Sequence, residues 1–327
     1  MKTVVTGASG HVGANLVRKL LEHKRQVTCL VRSSDAALRG LPVEIVRGDV
    51  RDPQSLAAAF AGAATVFHCA AQIAITGSSW KKIEEVNVGG VRNVVEACFK
   101  AGIRRLVHFS SIHAFDPVPL NKPLNETRAK VSSPHAPPYD RSKVAGEKEV
   151  RDGIEKGLDA VILNPTGILG PNDFHNSFFG RIIRQVGRAM MPIGVDGGFN
   201  WVDVRDVADA AIAAETKGKC GEQYLIPGHW ISLGDMAKII DGINGKKSMW
   251  VLSPLWLAAI GAPFAEWGAR LFGKEPLYTP VSITTLKNSH KNISYEKASR
   301  AFGYTPRPFE ESIRDAVAWY KENGFID

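Results

Sequence analysis

The feature that most constrains the chain is Thr6-Gly7-Ala8-Ser9-Gly10-His11-Val12-Gly13, where three glycines recur every third residue between a β-rich run and a helical one. Residues 2–6 supply the β-rich run. From His11 the apolar side chains fall at Val12, Leu16 and Leu20, with Val17 and Leu21 beside them, the spacing of one helix face. A glycine turn at a strand-to-helix junction lets the backbone approach a diphosphate, whose charge then meets free N–H groups and the positive helix end. Gly7, Gly10 and Gly13 are therefore expected to hold the phosphates of a dinucleotide, and Gly13 also to let the helix pack closely on its sheet.

The pattern repeats. Apolar runs at residues 27–31, 43–46, 65–68, 106–110 and 160–164 alternate with helix-like stretches at residues 53–60, 80–101 and 139–156. Short apolar runs separated by helices build a parallel sheet covered on both faces, so the expected fold class is α/β, a Rossmann-type doubly wound parallel sheet. After Pro165 the alternation weakens: residues 174–188 read as helix, 201–214 as strand then helix, 223–226 as strand and 308–322 as an amphipathic helix. The expected division is a dinucleotide-binding domain over residues 1–165 plus about 200–226, and a smaller, discontinuous C-terminal substrate lobe over about 166–199 and 227–327.

Composition narrows the function classes. Of 327 residues, 41 are Lys or Arg and 33 are Asp or Glu, a formal charge of +8 that favours anionic partners without naming one. The basic residues are dispersed and form no aromatic-interleaved tract, so no nucleic-acid partner is expected. Cys29, Cys69, Cys98 and Cys220 have neither CxxC nor metal-ligand spacing; a reducing compartment is expected and a metal site is not. Met1-Lys2-Thr3 runs directly into the first strand, so no targeting peptide is expected, and the expected location is the cytoplasm. Residues 249–265 form a 17-residue run without charge, split by Pro254 and Pro263. That is short for a membrane span. A buried or substrate-covering helix is the first expectation for it, and peripheral contact with a membrane surface the second.

Two further groups of residues carry chemistry. At the end of the second strand, Arg32-Ser33-Ser34 offers a guanidinium and two hydroxyls where the adenosine ribose is read. These suit a 2′-phosphate, so NADP(H) is expected ahead of NAD(H), with Asp35 the residue that could reverse the preference. Asp49, after the third strand, is expected to accept from an adenine amino group. Tyr139 and Lys143 are four apart on a predicted helix and project from one face. An ammonium beside a phenol lowers a pKa that starts near about 10, making Tyr139 an expected general acid or base. Ser111, following the strand over residues 106–110, can hold a substrate oxygen beside that phenol.

With these residues in place, the chain resembles the extended short-chain dehydrogenase/reductase family, also described as the NAD-dependent epimerase/dehydratase family, over nearly its whole length. TGASGHVG (residues 6–13), GDVRD (48–52), HCAA (68–71), NVGGVRNV (87–94), FSSIH (109–113), YDRSK (139–143) and NPTGILGP (164–171) are similar to successive family motifs. The resemblance implies that Ser111 orients the reacting oxygen, that Tyr139 exchanges its proton, and that Lys143 binds the nicotinamide ribose and lowers the tyrosine pKa. It implies that Asn87 shapes the fourth helix and its proton-relay water. It further implies cofactor contacts from Ser9, His11, Val12, Val50, Ala70, Ala71, Ser110, Pro165 and Gly167. Ser110 is the rival for the serine role, with Ser111 favoured by the alignment of FSSIH.

Within the family, VRSS after the second strand, NPTGILGP, NWVDVRDVADA from Asn200 and GYTPRPFEESI from Gly303 look most like the dihydroflavonol 4-reductase and 3β-hydroxysteroid dehydrogenase-like branches. The implied function is NADP(H)-preferring hydride transfer to or from a secondary alcohol or ketone of a bulky, largely apolar substrate. A homodimer through the helices over residues 80–101 and 139–156 is implied with it. Asn164 stands where many sugar-nucleotide members carry arginine. A nucleotide-sugar epimerase or dehydratase with tightly bound NAD is the first alternative, and a non-catalytic dinucleotide-sensing protein the second. His113, two residues past Ser111, is an expected substrate contact, as are His135, Phe174 and His175 from neighbouring loops.

Overall fold

The computed structural model describes residues 2–73, 79–175, 177–271 and 279–326, with backbone alone at 268–271. The first lobe runs β1 (Lys2–Thr6), α1 (His11–Glu22), β2 (Gln26–Val31), β3 (Glu44–Arg47), α2 (Pro53–Phe60), β4 (Thr65–His68), α3 (Trp80–Glu84), α4 (Gly90–Lys100), β5 (Arg105–Phe109), α5 (Pro138–Glu155) and β6 (Ala160–Pro165). There follow β7 (Gly167–Leu169), α6 (Phe178–Gly187), β8 (Ile193–Val195), β9 (Gly198–Asp203), α7 (Val204–Lys217), β10 (Gln223–Ile226), β11 (His229–Ser232) and α8 (Leu233–Asn244). The chain closes with β12 (Val251–Ser253), α9 (Leu255–Leu271), α10 (Pro280–Lys287), α11 (Glu296–Phe302) and α12 (Phe309–Glu322).

Seven strands make one parallel sheet in the order β10-β6-β5-β4-β1-β2-β3. Both faces are covered. Leu16, Val17 and Leu20 of α1 share a core with Val207, Ala208 and Ala211 of α7 on one side; Leu56, Phe60, Val91, Val94 and Val150 of α2, α4 and α5 fill the other. Each such Val, Leu or Phe side chain contributes about 1.5–3 kcal/mol relative to exposure, so two covered faces hold the sheet firmly. The strand order reverses between β1 and β4, which opens a crevice at their carboxyl ends, where doubly wound folds bind nucleotides.

Local signals explain several boundaries. The Asp52 carboxylate accepts from the N–H groups of Gln54 and Ser55 at 3.0 and 3.3 Å, and Pro53 opens α2, a capped helix start. The single helix expected over residues 80–101 is instead interrupted by a π turn over Glu85–Gly89. The apolar run at 43–46 becomes an edge strand with Glu44, Ile45 and Arg47 exposed.

The second lobe surrounds a three-stranded sheet in the order β11-β9-β7 and a separate β8–β12 ribbon. Its core gathers Leu169, Ile183, Trp201, Met236, Ile313 and Tyr320. Strand β9 lies in this sheet, so the return to the first lobe falls at Asp203, where the carboxylate caps α7. Residues 298, 302 and 304 also return to the first lobe, with Ala298, Phe302 and Tyr304 packing with Tyr224 and Ile226.

Candidate active site

The crevice is shaped first by glycine. Gly7 adopts φ +66°, and a Cβ there would fall 2.7 Å from the Ala70 Cα; one on Gly13 would fall 2.2 Å from the Gly7 carbonyl oxygen. The turn therefore lies hard against the continuation of β4 and its own helix, and only glycine fits. No side-chain hydrogen bond caps α1 at Gly10, which leaves the positive end of that helix for an anion. Bare backbone, a positive helix terminus and the absence of carboxylates from the turn fit a dinucleotide diphosphate. His11 Nε2 and Asn15 Nδ2 both donate to the Pro171 carbonyl at 3.0 Å, fastening the loop after β7 to the same helix.

Charged groups surround the ends of β2 and β3. Arg32 is exposed just past β2. The carboxylate of Asp35 is ion-paired with Arg47, which also donates to the Ser33 carbonyl; Arg47 was not foreseen from the sequence. Asp49 accepts from Arg51 Nε at 3.0 Å and Nη2 at 2.8 Å, and hydrogen bonding to that guanidinium holds its carboxyl below the ordinary range. Val50 turns its side chain into the core against Gly90, which leaves only its backbone for a cofactor.

The reacting groups meet where β5 ends and α5 begins. Ser111 is buried, and its Oγ accepts from the His113 N–H at 3.2 Å. The same hydroxyl lies close enough to the Tyr139 phenol to oppose the rise of its pKa. Pro138 opens α5, and a Cβ on Gly146 would fall 2.6 Å from the Asn87 carbonyl, so α5 can press on the π turn and bring Tyr139 and Lys143 to the crevice. The Lys143 ammonium is buried, donates to the Phe109 carbonyl at 3.2 Å and lies 5.7 Å from the Tyr139 ring centroid.

The protonation pattern departs from expectation. Burial pulls Lys143 down to about 8, with Glu147 opposing. Burial also pushes the Tyr139 phenol above its ordinary value, the Ser111 hydrogen bond opposing and Asp140 adding to it. The expected lowering of the tyrosine pKa is thus corrected for the protein alone: the ammonium is drawn to the Phe109 carbonyl, and desolvation of the phenolate dominates. Near neutrality Tyr139 keeps its proton and Lys143 is mostly charged, the state of a proton donor beside a cation.

A buried carboxylate that sequence reasoning missed stands behind this pair. Glu147 Oε1 accepts from Ser110 Oγ at 2.6 Å and Asn164 Nδ2 at 2.7 Å, and Oε2 lies 2.6 Å from Lys130 Nζ. The Ser110 hydroxyl is therefore committed away from Tyr139, which separates it from Ser111. Asn87, within the π turn, bonds the Gln72 backbone at 2.7 and 3.0 Å and Ser142 Oγ at 3.0 Å. Both its amide donors are used, so it clamps the segment after β4 to α5.

These elements recur in known proteins. Residues 3–226 match the family model described as the NAD dependent epimerase/dehydratase family. The chain belongs to that family. It is 35% identical to sterol demethylase protein B of Methylococcus capsulatus, covering 100% of both chains. It is 30% identical to 3 beta-hydroxysteroid dehydrogenase type 7 of Homo sapiens, covering 97% of this chain and 94% of the other. The crystal structure of gox2253 aligns with a TM-score of 0.86 at 34% identity over 99% of both chains.

As a member of the epimerase/dehydratase family with dehydrogenase relatives, the protein is an NAD(P)-dependent oxidoreductase. Of the expected substrate contacts, His113 reaches the reacting groups: its ring meets Tyr139 edge-on at 5.6 Å and Nδ1 lies 3.1 Å from Asp140 Oδ1. Phe174 is half-buried, its ring packing against Trp319 at 5.0 Å and beneath Arg18 at 5.5 Å, along α1 and α12. His135 and His175 are exposed. Pro165 is buried at the end of β6, and a Cβ on Gly167 would meet the Asn200 carbonyl at 3.1 Å. Ser9, Val12, Ala70 and Ala71 keep partial exposure around the glycine turn.

Proposed function

We propose that the protein transfers hydride between NADP(H) and a secondary alcohol or ketone on a bulky, largely apolar, ring-bearing substrate. The observation that carries this reading is the convergence of Ser111, Tyr139 and buried Lys143, whose ammonium lies one helical turn on and 5.7 Å from the Tyr139 ring centroid. When bound, the nicotinamide supplies or accepts the hydride. Ser111 and Tyr139 hold the substrate oxygen, and Tyr139 gives its proton as negative charge develops there. The Lys143 ammonium then compensates the phenolate. In the oxidative direction Tyr139 takes the proton back.

The NADP(H) preference is supported by Arg32 and by the neutralisation of Asp35 through Arg47, since a free carboxylate at the ribose would repel a 2′-phosphate. The substrate class is supported by the sterol and hydroxysteroid names of the two relatives. Asn164 agrees with it: its amide is taken by Glu147 and the Ser111 carbonyl, so this position itself offers no positive charge to a sugar diphosphate. A homodimer through α4 and α5 belongs to the same reading, and sedimentation equilibrium tests it. The decisive assay compares NADPH and NADH with a panel of 3-ketosteroids, other ring ketones and nucleotide sugars. Ketone-dependent oxidation of dissociable NADPH is the expected result. Interconversion of nucleotide sugars with NAD retained through purification would overturn the proposal.

A further inference from the structure

The segment that the reaction leaves unused is the uncharged run at residues 249–265. It folds into β12, paired with β8, and most of α9. Leu255 and Ala258 rest on the second-lobe core, and Ala262 is buried. The remaining apolar side chains project outward: Trp250, Trp256, Phe264 and Trp267 are 67, 67, 73 and 66% exposed, and Leu257 and Ile260 are exposed beside them. Met190, just before β8, is exposed as well. A soluble surface rarely carries so large an apolar group without a partner.

Charge identifies the partner. Arg188, Lys246 and Lys247 are exposed next to this face, and Lys247 Nζ lies 4.8 Å over the Trp250 ring. From Lys246 to Ala265 the sequence contains no Asp or Glu. Tryptophan favours the boundary between headgroups and acyl chains, and lysines beside it meet anionic headgroups. A second copy seated symmetrically on the same face would bring these cations toward their own copies, which opposes pairing. Among the described residues no helix is long and apolar enough to cross a membrane; α9, at 17 residues with Pro263 inside, suits a position along the surface.

We propose that the β8–β12 ribbon and α9 form a docking surface for an anionic lipid bilayer, entered by Trp256, Leu257, Ile260 and Phe264 and rimmed by Arg188, Lys246 and Lys247. Exposure and charge alone define this surface, independently of the proposed reaction. The test is flotation of the full-length protein with phosphatidylcholine vesicles containing or lacking phosphatidylglycerol. Binding to the anionic vesicles is expected, with a blue shift in tryptophan emission and weakening by salt. Trp256→Ser/Phe264→Ser should abolish flotation while leaving the NADPH titration unchanged. Lys246→Gln and Lys247→Gln keep the apolar face intact and should each weaken binding roughly fivefold. Absence of flotation, flotation indifferent to the lysine changes, or a dimer in sedimentation velocity that Trp256→Ser dissociates would each overturn the proposal.

Discussion

Asn164 Nδ2 and Glu147 Oε1 are joined by a 2.7 Å hydrogen bond, with both residues buried behind the catalytic helix face. Tyr139, Lys143 and Glu147 stand four apart along α5, so the carboxylate occupies the turn after the ammonium. Its negative charge opposes the burial that lowers Lys143. Glu147→Gln should therefore move the alkaline limb of the kcat/KM profile below about 8, by roughly one pH unit. Removing one member of a buried ion pair should also cost about 3 kcal/mol of stability, read from urea midpoints. An unmoved limb would leave Glu147 a purely structural residue.

The adjacent serines should separate by the kind of damage they cause. Ser111→Ala removes the hydroxyl beside Tyr139 and should lower kcat by roughly a hundredfold or more, with little change in urea midpoint. Ser110→Ala removes a donor from Glu147 and should cost about 1–3 kcal/mol of stability, leaving kcat within a few-fold. Exchanged outcomes would transfer the catalytic role to Ser110.

Cofactor choice rests on the arginines near the adenosine end. Arg32→Ala should raise the NADPH Kd by roughly tenfold or more and leave NADH nearly unaffected, because a charged hydrogen-bond partner for phosphate is lost. Arg47→Ala releases Asp35 and should erode the same preference. Equal weakening of both nucleotides in fluorescence titrations would remove the argument for a 2′-phosphate site.

Stability should fall in mild acid for a reason internal to the sheet. His68 and His108 are buried, with ring centroids 5.3 Å apart, and His68 Nδ1 shares a 2.7 Å hydrogen bond with Thr6 Oγ1. Burial, aided by the charge on Lys143, pulls His68 down to about 3; burial likewise pulls His108 well below its ordinary value, aided by His68 and Lys143. The unfolded chain binds these protons near about pH 6.5, so their contribution is present above that pH and is lost as the pH falls, for His68 toward about 3. His68 adds a slope approaching about 1.4 kcal/mol per pH unit within that window, and His108 acts in the same direction. Urea midpoints for the native chain and His108→Gln should show a shallower acid slope in the variant; equal slopes would contradict this.

Much of the fold was legible because the burial pattern and the chain signals agree. The polar-apolar stretch at residues 53–60 marked α2, and the glycine spacing marked the β1–α1 turn. The π turn was not legible, since Asn87 distorts the helix through bonds to Gln72 and Ser142 that exist only after folding. Residues 43–46 looked like buried strand because an apolar run does not reveal which strand lies at a sheet edge. Glu147 was missed because a glutamate on a charged helix ordinarily faces water; its spacing from Tyr139 and Lys143 was the available sign. The Tyr139 pKa was misjudged because helical spacing gives proximity but not where the ammonium bonds or how dry the phenol is. The packing of Phe174 on Trp319 was not legible because the two lie far apart along the chain.

The most direct test of proton transfer by Tyr139 is single-turnover reduction of a 3-ketosteroid by NADPH deuterated at C4, comparing the native protein with Tyr139→Phe. The native protein should place deuterium on the carbinol carbon. The variant should bind NADPH within about threefold of the native affinity but react at least a hundredfold more slowly. A Tyr139→Phe protein that transfers deuterium at the native rate would contradict the assignment.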